Sequence, residues 1–168
     1  MAATTFRKAV ESDIDGIMTI IGQAVSQMRR EGKNQWDDNY PQRRHIADDI
    51  ARDCGYVMCS GGQLAAYGAV VFSGEPAYGG IRGRWLSDGQ YVVLHRLAVA
   101  DEMKGQGVAV RFMEEVEKMA AGKGVHSFKV DTNYDNTRMR RVLCKLGFTY
   151  CGDISYEHGD RMAYEKLL

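Results

Sequence analysis

The chain has 168 residues, enough for one domain with a substantial core, and its 22 Lys and Arg balance 22 Asp and Glu. That zero formal net charge argues against an electrostatic nucleic-acid binder, which needs net basic character. The four cysteines, Cys54, Cys59, Cys144 and Cys151, make no Cys-x-x-Cys pair and no zinc-spaced Cys/His cluster, so no metal is expected and free thiols in a reducing compartment are. No signal-length apolar run opens the chain, and none approaches the roughly 20 apolar residues of a membrane span. The expectation is a soluble, cytoplasmic, single domain over residues 1–168.

Thr5–Val10 reads as a short strand, and Glu11-Ser12-Asp13 offers N-cap chemistry. A helix follows, with Ile14, Ile17, Ile20, Ile21, Ala24, Val25 and Met28 on a broad apolar stripe that predicts packing against a sheet. It ends near Gly32. Residues 33–41 form a polar loop with two large aromatics, Trp36 and Tyr40. Both side chains either plug the gap between helices or line a pocket, since loops carry specificity. A second helix runs over 42–53. Residues 56–60 and 64–72 read as strands joined at Gly61-Gly62, a strong hairpin signal. Residues 73–89 are glycine-rich, an extended hairpin arm or an interaction loop, in which Trp85 is a packing residue, a dimer contact or a ligand contact.

The next stretch organises the rest. Tyr91–Val99 is dense in Val and Leu and predicts a strand. Val108, Phe112, Val116 and Met119 follow at helical spacing, with Glu114, Glu115, Glu117 and Lys118 on the wet face. Lys104, Gly105, Gln106, Gly107, Val108 and Ala109 stand where the strand gives way to the helix. The first N–H groups of a helix lack intrahelical partners and sit at the positive end of its dipole. Glycines there let a phosphate or pyrophosphate approach the backbone, with Lys104 a cation at the rim. A plain surface turn is the alternative.

Gly122-Lys123-Gly124 ends that helix. A strand over 127–131, a polar loop, a helix opened by Asn136 and stopped by Gly147, and strands over 148–156 and 161–167 complete the chain. Arg138, Arg140, Arg141 and Lys145 read as a solvated helix face. Helices after the first strand, then strand–helix alternation, predict an α/β or α+β layered fold.

The central segment resembles the signature of the GNAT family of N-acetyltransferases, Arg/Gln-x-x-Gly-x-Gly/Ala between a strand and a helix. Here Lys104-Gly105-Gln106-Gly107-Val108-Ala109 matches it except at the first position, where Lys stands. Leu97-Ala98-Val99 is similar to the family's coenzyme-binding strand, and Asn136 through Leu146-Gly147-Phe148 to its second helix motif. The resemblance implies a mixed, mostly antiparallel sheet flanked by helices and splayed at the coenzyme. It implies acetyl-CoA as cosubstrate and a primary amine as acceptor, acetylated by direct attack. Backbone groups of Leu97, Ala98 and Val99 would pair with the pantetheine arm as an added strand. Asn133 and Asn136 would contact the coenzyme, Asn136 doubling as a helix N-cap. The segment between the first two helices would shape the acceptor site, where Trp36 lines the pocket and Asp37 and Asp38 greet a cationic amine.

Strand alternation puts His95 on one face with Leu97 and Val99. Some members of the family carry a catalytic histidine in that register, and imidazole titrates near neutrality. A packed or carbonyl-bonded histidine is the alternative. The tyrosine that many members use to protonate the thiolate is replaced by Leu143. That substitution motivates a rival reading, a catalytically silent acyl-CoA-binding sensor or interaction module. A kinase reading lacks the Gly-Lys-Ser/Thr ending of a phosphate loop. A nucleophilic Cys144 or Cys151 has no Cys/His/Asp arrangement to activate it. Neither nucleic acid nor membrane is an expected partner, and exposed strand edges make a homodimer possible.

Overall fold

The computed structural model describes residues 3–168. Among these the elements run β1 (Thr4–Lys8), α1 (Ile14–Arg30), α2 (Arg43–Ala51), β2 (Gly55–Ser60), β3 (Gln63–Val71), β4 (Arg82–Gly83), β5 (Val92–Val99), α3 (Val108–Gly122), β6 (Ser127–Thr132), α4 (Thr137–Lys145), β7 (Thr149–Tyr156) and β8 (Gly159–Leu167). Short 3₁₀ turns occupy Glu11–Asp13, Pro76–Gly80 and Asp101–Met103. The strands make one eight-stranded sheet in the order β1-β2-β3-β5-β6-β8-β7-β4. It is mostly antiparallel, with β5 and β6 parallel, and is flanked by helices. No described helix is long and apolar enough to cross a membrane.

The expected mixed sheet and element order are therefore present. The glycine-rich arm holds the Pro76–Gly80 turn and the short strand β4. The last hairpin is tighter than the sequence suggested, with β8 starting at Gly159.

The chain divides into two compact units, Met1–Val70 with His95–Met113, and Val71–Leu94 with Glu114–Leu168. In the first, the α1 stripe buries Ile14, Ile17, Ile20, Ile21 and Val25 against Trp36, Ile46, Val57, Tyr67, Ala98 and Ala100. Phe6 of β1 meets Phe112 of α3 edge-on, ring centroids 5.1 Å apart. The hairpin glycines Gly61 and Gly62 take φ of 58° and 82°, which side chains with a Cβ avoid.

In the second unit Tyr78, Val93, Ile154 and Ala163 form a core with Val71, Ile81, Trp85, Tyr91 and Tyr156 packed on it. The arm is pinned by polar contacts distant in sequence. Glu165, fully buried, accepts from the Leu86 N–H at 2.7 Å, the Ser127 hydroxyl at 2.7 Å and the Ser87 hydroxyl. Such donors make a buried carboxylate tolerable. The Lys129 ammonium lies over Trp85 and Tyr91, 4.4 and 4.1 Å from the ring centroids, and burial lowers its pKa. Trp85 donates Nε1–H to the Tyr78 carbonyl at 3.0 Å, so packing is its role within this unit.

Candidate active site

The turn into α3 is built as its residue types predict. Gly105 and Gly107 have φ of 76° and 75°, and both are exposed with Gln106. The first helical bond runs from the Arg111 N–H to the Gly107 carbonyl at 3.1 Å. The amides of Val108, Ala109 and Val110 ahead of it thus have no partner within the helix. Val108 is buried and roots this end in the fold.

Two cations stand at this end, Lys104 and Arg111. The Lys104 ammonium donates to Asp101 at 2.7 Å and to Gln27. Arg111, one turn into α3, arches back. Its Nη1 donates to the Gln106 carbonyl at 2.7 Å and would lie 3.5 Å from a Cβ at position 107. Its Nε is buried and makes no hydrogen bond. A buried donor without a partner is costly. The only signal in the sequence was a cation within the first turn of a helix that follows glycines.

In β5, Arg96 takes φ 57°, a left-handed conformation inside a strand. Strict alternation breaks there, so the period-of-two argument that set His95 with Leu97 and Val99 does not carry across Arg96. His95, Leu97 and Val99 are half-buried, while Ala98 and Ala100 face the first core. Pairing of β5 with β6 joins Val92 to Phe128 and Val93 to Lys129.

The 33–41 loop resolves into distinct roles. Trp36 is 8% exposed and belongs to the first core, so packing is what the structure gives it. Asp37 and Tyr40 bridge through their backbones, and Asp37 Oδ1 accepts the Asn39 N–H at 2.8 Å. Asp37 is exposed and, among the described residues, no cation pairs with it. Asp38 instead pairs with Arg29 at 2.9 Å. The Tyr40 hydroxyl accepts from Arg96 Nη1 at 2.9 Å.

In the second unit, Asn136 caps α4, its Oδ1 accepting the Met139 N–H at 3.1 Å, and its own N–H reaches the Asn133 carbonyl at 3.1 Å. Leu143 is fully buried. Asp131 Oδ2 accepts from the hydroxyls of Tyr78 at 2.7 Å and Tyr156 at 3.0 Å. Burial, then the Asp131 charge, raises the pKa of both phenols. Cys54 is held as a thiol, its pKa pushed up to about 11 by burial and then Asp49. The described residues include no cluster of His, Cys, Asp and Glu able to hold a metal ion.

The acetyltransferase (GNAT) family model matches residues 23–148. A GNAT-family acetyltransferase from Streptococcus agalactiae shares 35% identity, covering 98% of this chain and 95% of that one with a TM-score of 0.90. The candidate acetyltransferase yncA of Salmonella typhimurium, solved with its cofactor acetyl-CoA, shares 18% identity over 99% of this chain and 94% of its own, with a TM-score of 0.70. A ribosomal-protein-alanine N-acetyltransferase from Brucella melitensis shares 21% identity over 98% and 99%, with a TM-score of 0.69. At those two lower identities the likeness speaks for the fold alone. Comparison with curated proteins returns no match.

Proposed function

The chain belongs to the acetyltransferase (GNAT) family, and from that premise we propose that it acts as one domain transferring an acetyl group from acetyl-CoA to a primary amine. The observation that carries this reading is the α3 N-terminus. Its unpaired amides, its two left-handed glycines and the orphaned Arg111 Nε form a cradle suited to a pyrophosphate. The backbone of Lys104–Ala109 and the Arg111 guanidinium hold the diphosphate. The backbone of Leu97, Ala98 and Val99 pairs with the pantetheine arm, and Asn133 and Asn136 add polar contacts. Trp36 packs at the root of the acceptor loop, and the exposed Asp37 carboxylate attracts the cationic amine.

Transfer is direct. The amine nitrogen attacks the thioester carbonyl carbon, the N–C bond forms and the C–S bond breaks. His95 takes the proton that nitrogen loses, directly or through water. The leaving thiolate takes its proton from water, because Leu143 has none to give. His95→Ala should lower the rate by about 10²–10⁴-fold with near-normal coenzyme affinity. An unchanged rate across pH removes His95 from the mechanism.

Isothermal titration of acetyl-CoA tests the reading: binding at one site per chain supports it, and no binding refutes it. Buried Leu143 favours one rival, an acyl-CoA-binding module without turnover. Tight binding with no transfer to any amine of a broad panel would select that rival; measured turnover excludes it.

A further inference from the structure

We propose that Arg96 is a positioning residue, whose side chain fixes the course of the coenzyme-pairing segment Leu97–Val99; the proposal rests on the acetyl-CoA reading above. The first observation is backbone strain. Arg96 sits within β5 at φ 57°, where an L-residue other than glycine costs about 1–2 kcal/mol. The other described non-glycine residue at positive φ is Asp53, just past the end of α2, an ordinary place for it. Strain of this kind persists only where the surroundings over-determine it.

Here the surroundings are visible. Arg96 Nε donates to Asp49 Oδ2 at 2.9 Å and Nη2 to Asp49 Oδ1, a bidentate pair, while Nη1 donates to the Tyr40 hydroxyl at 2.9 Å. Asp49 is 4% exposed and also accepts the Tyr67 hydroxyl. Three elements converge on one guanidinium: the 33–41 loop through Tyr40, α2 through Asp49, and β3 through Tyr67 by way of Asp49. Burial lowers the Arg96 pKa, but the Asp49 hydrogen bonds, with Tyr40, overcome it and leave a net rise.

A buried ion pair is a weak device for stability alone, because desolvation offsets its attraction. Its use here is local. Beyond the inverted residue, Ala98 and Ala100 turn into the first core and the Ala100 N–H reaches the Ala65 carbonyl at 2.8 Å. Leu97 and Val99 are left half-buried. Tyr40 lies in the loop that carries Asp37, so the latch also ties the acceptor loop to the coenzyme strand.

The test compares Arg96→Gly, Arg96→Lys and Tyr40→Phe with the wild-type chain, and with Ile17→Val as a control for general destabilisation. Glycine accepts the left-handed backbone, so Arg96→Gly keeps the fold accessible while deleting the latch. Lysine keeps the charge without the fork. With the latch gone, about one residue must be ordered at about 1–2 kcal/mol on binding, so Arg96→Gly should weaken acetyl-CoA about tenfold in calorimetry. Amide exchange at Leu97–Val99 should quicken in parallel. Arg96→Lys should not restore either readout, Tyr40→Phe should fall between, and Ile17→Val should lower Tm while keeping wild-type affinity. Wild-type affinity and exchange in Arg96→Gly overturn the proposal, as does an equal loss of affinity in Ile17→Val. A wild-type chain that binds no acetyl-CoA sinks the function itself, and exchange alone then decides whether Arg96 sets the segment's geometry.

Discussion

Replacing Gly107 separates the backbone of the proposed pyrophosphate cradle from its charge. Gly107 has φ 75°, and a Cβ there would sit 3.5 Å from Arg111 Nη1, an ordinary contact. Gly107→Ala therefore brings little clash and mainly the left-handed strain of about 1–2 kcal/mol. For a chain of this length that lowers Tm by roughly 2–8 °C. Gly107→Glu carries the same strain and adds a carboxylate. At about 5 Å from one phosphate charge, with an effective dielectric of about 20, repulsion is about 3 kcal/mol. That is more than a hundredfold in Kd, and Arg111, partly neutralised by the new carboxylate, holds the effect near the lower end. The assay is calorimetric titration of acetyl-CoA into both variants, with circular dichroism to confirm that both are folded. Gly107→Ala should bind with modest loss and Gly107→Glu about a hundredfold more weakly than Gly107→Ala. A Glu variant within about threefold of the Ala variant would place the diphosphate elsewhere.

Arg111→Met should weaken acetyl-CoA about tenfold, the worth of a hydrogen bond to a charged group. It should leave Tm unchanged or higher, because the buried Nε already lacks a partner; undiminished affinity would remove Arg111 from the site. His45 Nδ1 accepts the Gln42 N–H at 2.8 Å and so caps α2 only when that nitrogen is unprotonated. Burial, then the Arg44 and Arg96 cations, lowers its pKa below the ordinary 6.5. The unfolded chain thus takes up this proton at a higher pH than the folded one. The cap's contribution is full above the unfolded value and lost as pH falls through the lower folded value. Tm should fall as pH drops below about 6.5, less so in His45→Gln, and parallel curves would refute the assignment. Gly152→Ala puts a Cβ 2.4 Å from the Arg82 carbonyl oxygen, where β4 crosses close to β7. That should cost about 1–3 kcal/mol and lower Tm by several degrees in thermal unfolding; an unchanged Tm would show that β4 is free to move away.

The periodic elements were legible because their signals are local. The α1 stripe, the Gly61-Gly62 hairpin and the strand–glycine–helix unit each declare themselves within a few residues, and each lies where the sequence puts it. What escaped was set by partners far away in the chain. The arm over 73–89 leaves its alternatives open in the sequence because its anchor, Glu165, is 78 and 79 residues from Ser87 and Leu86. Arg96 reads as an ordinary strand residue among Val92–Val99, since nothing nearby announces that Asp49, 47 residues earlier, will hold its backbone inverted. Trp36 could not be divided between core and pocket until the first core was assembled around it.

The departure at Lys104 then has a physical reading. A site that grips its ligand through backbone amides depends on the conformations of Gly105 and Gly107 more than on any one side chain at the rim. Position 104 is consequently available for another task, and Lys104 uses it to tie Asp101 and Gln27 together. A second positive charge stands at this turn in Arg111, with its Nη1 on the Gln106 carbonyl. A motif scored by side chains sees a mismatch at one position. On the acetyl-CoA reading proposed above, the role would pass from a flexible ammonium at the rim to a guanidinium hydrogen-bonded to the turn itself, the better preorganised of the two for a diphosphate.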